Sequence, residues 1–208
     1  MKTTGVLMAG VGGQGVLLAS EILGLAALEE GLDVKQSEVH GVAQRGGSVV
    51  SHVRFGERVH APLIRCGEAN VLYAGEQLEA LRYAHYLEPG GRIVMDDRVI
   101  RPIRLAADAP PYPEGVAQFL RGKGYEVMVC SALDLAVELG EKRCANVILL
   151  GLLSAQLELS YESWQAALEK RLPKQHLDLN RRAFETGREA RVEPLPGLLP
   201  SPGETQHS

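Results

Sequence analysis

Short apolar runs alternate with longer amphipathic stretches along the 208-residue chain, and this alternation sets the expected order of elements. Residues 5–9 (GVLMA) are apolar without a break and stop at glycines, as a strand buried on both faces does. Residues 16–30 follow with Leu17, Leu18, Ile22, Leu25 and Leu28 at helical spacing, closed by Gly31 as a C-cap. Strands are expected at 34–39, 48–55, 70–73, 92–95 and 125–130, and helices at 76–87 and 115–121. Pro89-Gly90-Gly91 ends the first of those helices, and the PPYP run at 110–113 is a loop.

The C-terminal part changes character. Residues 145–159 are apolar almost all round, which fits a helix covered on most sides, either by the chain's own core or by a docked partner. Residues 161–171 and 176–190 are amphipathic helices. From Val192 onward come four prolines and two glycines with few large apolar residues. One domain over 1–191 and a disordered Pro-rich tail over 192–208 are therefore expected. Strands in turn with helices imply an α/β fold: a doubly wound, Rossmann-like, mostly parallel sheet with C-terminal helices. Ligands of such sheets gather at the carboxyl ends of the strands, where the strand order reverses.

Composition narrows the function. The formal net charge is −4 and 5% of residues are aromatic, so neither a phosphate-backbone surface nor a base-stacking platform for nucleic acid is supported. Cys66, Cys130 and Cys144 are scattered, with no CxxC pair, too few for a four-thiolate cluster and suited to a reducing cytoplasm. The longest apolar run, 147–153, is far short of the roughly 20 residues that cross a bilayer. The start, MKTTGVLMAG, runs into a glycine loop and is no signal peptide.

Two polar, glycine-rich stretches carry the chemistry. Gly10-Val11-Gly12-Gly13-Gln14-Gly15 fits GxGxxG between a strand and a helix. Glycine lets backbone N–H groups approach an anion, and the helix N-terminus adds partial positive charge. The same motif also serves as a tight strand-to-helix turn with no ligand. Glu38 stands near the acid position of a dinucleotide fingerprint, which keeps a free-standing NAD(P)-dependent dehydrogenase open as a reading. The second stretch holds His40, Gln44, Arg45, Gly46 and Gly47: a backbone bend with a guanidinium at its mouth, suited to phosphate or carboxylate. Arg45 alternatively pairs with an acid such as Glu38 and only holds the loop. His52 and His60 read as packing or surface residues, and Asp96-Asp97 as a surface acid pair rather than a metal site. No nucleophile elbow, GxxxxGK[ST] or HExxH is present, so no catalytic residue is assigned.

GVGGQG followed by EVHGVAQRGGSVVSHVR resembles the γ-type domain of the 2-oxoacid:ferredoxin oxidoreductases, nearest to the small (β) subunits of the indolepyruvate-using members. The Asn146-containing apolar stretch, Trp164 and the NRRAFETG run at 180–187 extend the resemblance over about residues 5–190. It implies a subunit, inactive alone, of an enzyme that oxidatively decarboxylates a 2-oxoacid to an acyl-CoA and passes electrons to ferredoxin. It places thiamine diphosphate and the iron–sulfur clusters in a large α subunit. It also implies that Gly10, Gly12, Gly13, Gln14, Gly15, Glu38, His40, Gln44, Arg45, Gly46 and Gly47 line an anionic site, with coenzyme A as the co-substrate. A scaffolding subunit with no ligand of its own is the other reading.

Overall fold

A computed structural model describes residues 3–40, 47–101 and 111–190. The expected tail, 192–208, lies outside the described residues. Six strands among the described residues form one sheet: β1 (Thr4–Val11), β2 (Asp33–His40), β3 (Ser48–Gly56), β4 (Ala69–Ala74), β5 (Leu87–Asp96) and β6 (Glu126–Cys130). Their order is β2-β3-β1-β4-β5-β6. β3 runs antiparallel to both neighbours, while β1, β4, β5 and β6 pair in parallel. The α/β class is therefore as expected, with β3 as the one reversed strand.

Among the described residues, seven α-helices cover the sheet: α1 (Val16–Glu29), α2 (Gln77–Tyr83), α3 (Val116–Gly122), α4 (Ala132–Glu138), α5 (Ala145–Ser154), α6 (Tyr161–Arg171) and α7 (Lys174–Glu189). The period-2 alternation of each central strand divides the core between two faces. Val6, Met8, Val71, Tyr73 and Val94 pack with α1 and the C-terminal helices. Leu7, Ala9, Leu72, Ala74, Ile93 and Met95 pack with α2 and α3. This is why residues 5–9 read as apolar without alternation: both faces of β1 are covered.

Helix ends follow local chemistry. Gly15 precedes α1 with φ 75°, and Gly31, with φ 72°, closes it by donating its N–H to the Leu28 carbonyl at 3.0 Å. Glu76 caps α2 by accepting from the Glu79 N–H at 3.0 Å. The helix expected at 76–87 stops earlier, at Tyr83, and a 3₁₀ turn over Ala84–Tyr86 leads into β5. Pro89-Gly90-Gly91 then falls inside β5. There the register jumps from Ala69↔Leu87 to Val71↔Arg92, so the extra residues bulge out at the start of the strand, where Pro and Gly are tolerated.

The all-round apolar helix is α5, and every residue from Ala145 to Ser154 is buried within the chain. It ends five residues before the expected Leu159 and offers no docking surface of its own; α7 covers the side left open in the sequence reading. The α5–α7 crossing is a backbone contact. A Cβ on Gly187 would stand 1.8 Å from the Ile148 carbonyl oxygen, and one on Gly151 would stand 2.1 Å from that of Phe184. Trp164 and Phe184, with ring centroids 5.6 Å apart, fill the adjoining core. α4 has no counterpart in the sequence reading.

Candidate functional site

The strand order reverses between β1 and β4: α1 leads from β1 to β2 on one side, while β4, β5 and β6 follow on the other. The glycine loop ends β1 at this switch point, as the fold rule requires. Its residues divide by what they touch. Gly12 donates its N–H to the Gly47 carbonyl at 2.9 Å, so the glycine loop and the end of the second polar stretch lie side by side. Gly10 and Gly15 make room for the chain's own side chains. A Cβ on Gly10 would meet Val16 Cγ2 at 2.6 Å and Gln14 Oε1 at 2.9 Å; one on Gly15 would meet Asn146 Nδ2 at 2.4 Å. Gly13 differs: it is exposed, with φ 100°, and a Cβ added to it would meet nothing within 4 Å.

Gln14 stitches the crevice. Its Oε1 accepts from the Val11 N–H at 2.7 Å and its Nε2 donates to the Gly75 carbonyl at 2.5 Å, joining the ends of β1 and β4. Asn146, at the start of α5, donates from Nδ2 to the Gly15 carbonyl at 3.2 Å. Glu38 and His40 lie at the carboxyl end of β2, but β3 stands between β2 and β1. Glu38 is therefore two strand spacings, about 10 Å, from the end of β1. A dinucleotide fingerprint places its acid on the strand beside β1, so this geometry counts against that reading. Gln36 Nε2 donates to Glu38 at 3.2 Å. Gln44, Arg45 and Gly46 lie outside the described residues.

A cleft of about 220 Å³ opens at the switch point, lined among others by Gly13, Gln14, Tyr73, Asp96, Arg98 and Asn146, with Lys142 and Arg143 also in its lining. The sequence reading missed Asp96, Arg98, Lys142 and Asn146 as site residues. Strand period carried the signal for one of them: Asp96 follows Val94 by two, which turns it to the same face as Tyr73. Asp96 is 2% exposed, a correction to its reading as part of a surface acid pair, while Asp97 is exposed. Burial raises the Asp96 carboxyl to about 7; Arg98 pulls it down and Asp97 pushes it up. The Arg98 guanidinium lies 3.2 Å from Asp96 Oδ2, and the Arg98 N–H donates to Oδ1 at 3.3 Å. Tyr73 donates its hydroxyl to the Asn146 carbonyl at 3.3 Å, and burial drives its pKa upward.

A larger hollow of about 590 Å³ lies on the other side of the β5 end, with Met95, Val116, Val129 and Leu135 against Gln77, Asp97, Arg121 and Ser131. His52 is buried and accepts the Ile64 N–H at Nδ1, 3.2 Å away, a packing role; burial lowers its pKa. Cys66 is exposed, and Cys130 and Cys144 are buried. Among the described residues no three His, Cys, Asp or Glu side chains gather as a metal site, and no helix is long and apolar enough to cross a membrane.

Residues 5–190 match the family described as pyruvate ferredoxin/flavodoxin oxidoreductase. The indolepyruvate oxidoreductase subunit IorB of Thermococcus kodakarensis is 38% identical over 200 residues, 94% of this chain and 99% of that protein. The gamma subunit of a keto/oxoacid ferredoxin oxidoreductase from Geobacter sulfurreducens superposes with a TM-score of 0.68 at 26% identity, over 88% of this chain and 95% of that one. A 2-oxoglutarate:ferredoxin oxidoreductase from Magnetococcus marinus, solved with 2-oxoglutarate, coenzyme A and succinyl-CoA, shares the fold at 19% identity, with a TM-score of 0.71, over 90% of this chain and 31% of that one. The chain belongs to the pyruvate ferredoxin/flavodoxin oxidoreductase family, and it matches separate small subunits of these enzymes over nearly their whole length.

Proposed function

We propose that the chain is the small subunit of an indolepyruvate-type 2-oxoacid:ferredoxin oxidoreductase. The carrying observation is the end-to-end match to the Thermococcus subunit: 99% of that protein is covered, at 38% identity. In this reading a large partner subunit holds thiamine diphosphate and the iron–sulfur clusters. The assembled enzyme converts an arylpyruvate and coenzyme A to acyl-CoA and carbon dioxide, and the electrons pass to ferredoxin. The Magnetococcus enzyme was solved with coenzyme A bound. Here the glycine loop and the stretch ending at Gly47 adjoin at the carboxyl edge of β1, which supports a contact from Gly13, Arg45 and their neighbours to an anionic part of that coenzyme.

The test is reconstitution with the large subunit from the same source. Ferredoxin reduction should depend on both chains, on an arylpyruvate and on coenzyme A. Arg45→Ala should raise the apparent Michaelis constant for coenzyme A by roughly tenfold to a hundredfold, the loss of one charge-assisted contact of about 1.5–3 kcal/mol. Unchanged constants in a normally assembled complex would make Arg45 a structural ion-pair partner. NAD(P) reduction by the isolated chain would replace the proposal with the dehydrogenase reading.

A further inference from the structure

The switch-point cleft holds a cation whose hydrogen bonding is incomplete. Arg98 Nε is shielded from solvent and has no acceptor among the described residues. The rest of the residue is pinned: its carbonyl accepts from the Gln77 N–H at 3.2 Å, its own N–H donates to Asp96, and its guanidinium pairs with the buried Asp96 carboxyl. Gln77 lies in the first turn of α2, and the buried Glu76 before it accepts from the Ile100 N–H at 3.1 Å, so the main chain on both sides of Arg98 is tethered. The guanidinium therefore has a fixed position with a donor to spare. Two further cations, Lys142 and Arg143, line the same cleft, and Asp96 is the only carboxyl among its described lining residues. Arg143 is occupied in a bidentate pair with Glu141, whereas Lys142 is exposed and has no ion pair among the described residues. Asn146, fixed to the Gly15 carbonyl, and the open side of Gly13 complete the wall.

We propose that Arg98 is an anion-binding residue of this cleft, with Asp96 as its resident counter-ion and a phosphate group as the ligand. Arg98 lines the cleft and is partly exposed, and its guanidinium presents its donors in a rigid fork that a phosphate oxygen pair matches. Lys142 supplies a second, mobile positive charge at the rim. Asp96 keeps Arg98 oriented while the cleft is empty and competes with the arriving anion for it. The proposal deepens the reading of the chain as a small subunit, since a phosphate can come from free solution or from a phosphate-bearing coenzyme.

The first arm uses the purified full chain, with inorganic pyrophosphate as the calorimetric probe at fixed pH and ionic strength. Arg98→Met, which keeps the length and removes the charge, should weaken binding at least tenfold. Arg98→Lys should retain part of it, and Lys142→Ala, at an exposed position where folding is not at stake, should weaken it several-fold. Asp96→Asn removes the competitor and should bind as tightly as the wild type or tighter. Wild-type affinity in Arg98→Met, no binding by the wild-type chain, or an equal loss in Asp96→Asn and Lys142→Ala with Arg98→Lys unimpaired would each overturn the proposal. The second arm separates the sources: coenzyme A should displace pyrophosphate from the wild-type chain, and Arg98→Met should raise its apparent Michaelis constant in the assembled enzyme. Displacement by phosphate alone, with that constant unchanged, would overturn the coenzyme as the source. Failure of the two subunits to assemble would sink the small-subunit reading and leave the first arm standing.

Discussion

Replacing Gly187 by alanine tests whether the C-terminal helices are fixed by backbone contact. Alanine is the better helix former by about 1 kcal/mol, so propensity alone predicts stabilisation. The contact opposes it. The new Cβ would lie 1.8 Å from the Ile148 carbonyl oxygen and 2.7 Å from its carbon, against the roughly 3 Å below which such contacts are essentially never seen. Both obstructing atoms are main chain, so no rotamer can yield and the two helices must part by about an ångström. Overpacking of this kind typically costs about 1–3 kcal/mol, and with rigid backbone on both sides the upper end applies. The net expectation is a loss of about 2 kcal/mol, or roughly 4–8 °C in Tm for a domain of this size. Gly24→Ala is the control, because its Cβ would meet nothing closer than 3.5 Å and should raise Tm slightly. Thermal unfolding followed by circular dichroism on the three proteins decides the matter. A Gly187→Ala chain as stable as Gly24→Ala would refute the argument that α5 and α7 touch through their backbones.

Gln14→Ala should cost about 1–3 kcal/mol, because it leaves the Val11 N–H and the Gly75 carbonyl without their partners; amide exchange at Val11 should quicken, and unchanged exchange would show that the stitch between β1 and β4 is absent in solution. Asp96 should make stability fall with rising pH. Its folded-state carboxyl titrates near 7 and its unfolded one near 3.9, so between those values the folded chain holds a proton that the unfolded chain has lost. Urea midpoints should therefore drop from about pH 4.5 to pH 7.5 in the wild type and drop less in Asp96→Asn; equal slopes would mean that Asp96 is ionised throughout.

The layer arrangement was legible because strand burial writes itself into hydrophobic runs. GVLMA is apolar at every position since β1 is central and covered on both faces, and each expected strand appears within a few residues of its place. α4 was not legible: it is seven residues long, too short to show a helical period, and its Ser131 hydroxyl bonds to Asp97 at 2.5 Å in place of capping the helix. The end of α2 was misplaced for a related reason. Pro89-Gly90-Gly91 looks like a helix stop, yet a bulge at the start of β5 has the same residue requirements, and only the register distinguishes them. α5 was open between two coverings because composition records that a surface is buried and not by what; the glycine pair at 151 and 187 was the local sign that another helix lies across it.

The candidate site shows a different kind of gap. Glycine-rich loops advertise close approach without naming what approaches. At Gly10 and Gly15 the approaching groups are Val16, Gln14 and Asn146 of the chain itself, which is the ligand-free use of the motif; Gly13 alone among these three opens outward. The two uses are compatible, because packing Gln14 into the crevice is what holds the ends of β1 and β4 together beneath an exposed Gly13. The polar members of the cleft come from positions far apart in the chain, Asp96 at the end of β5 with Arg98 just after it, and Lys142 and Asn146 around the start of α5. No local motif can announce such a set. What joins them is the parallel sheet, which brings every βα connection to one edge, and the alternation along β5 that turns Asp96 inward beside Tyr73 while Asp97, one residue on, faces the solvent.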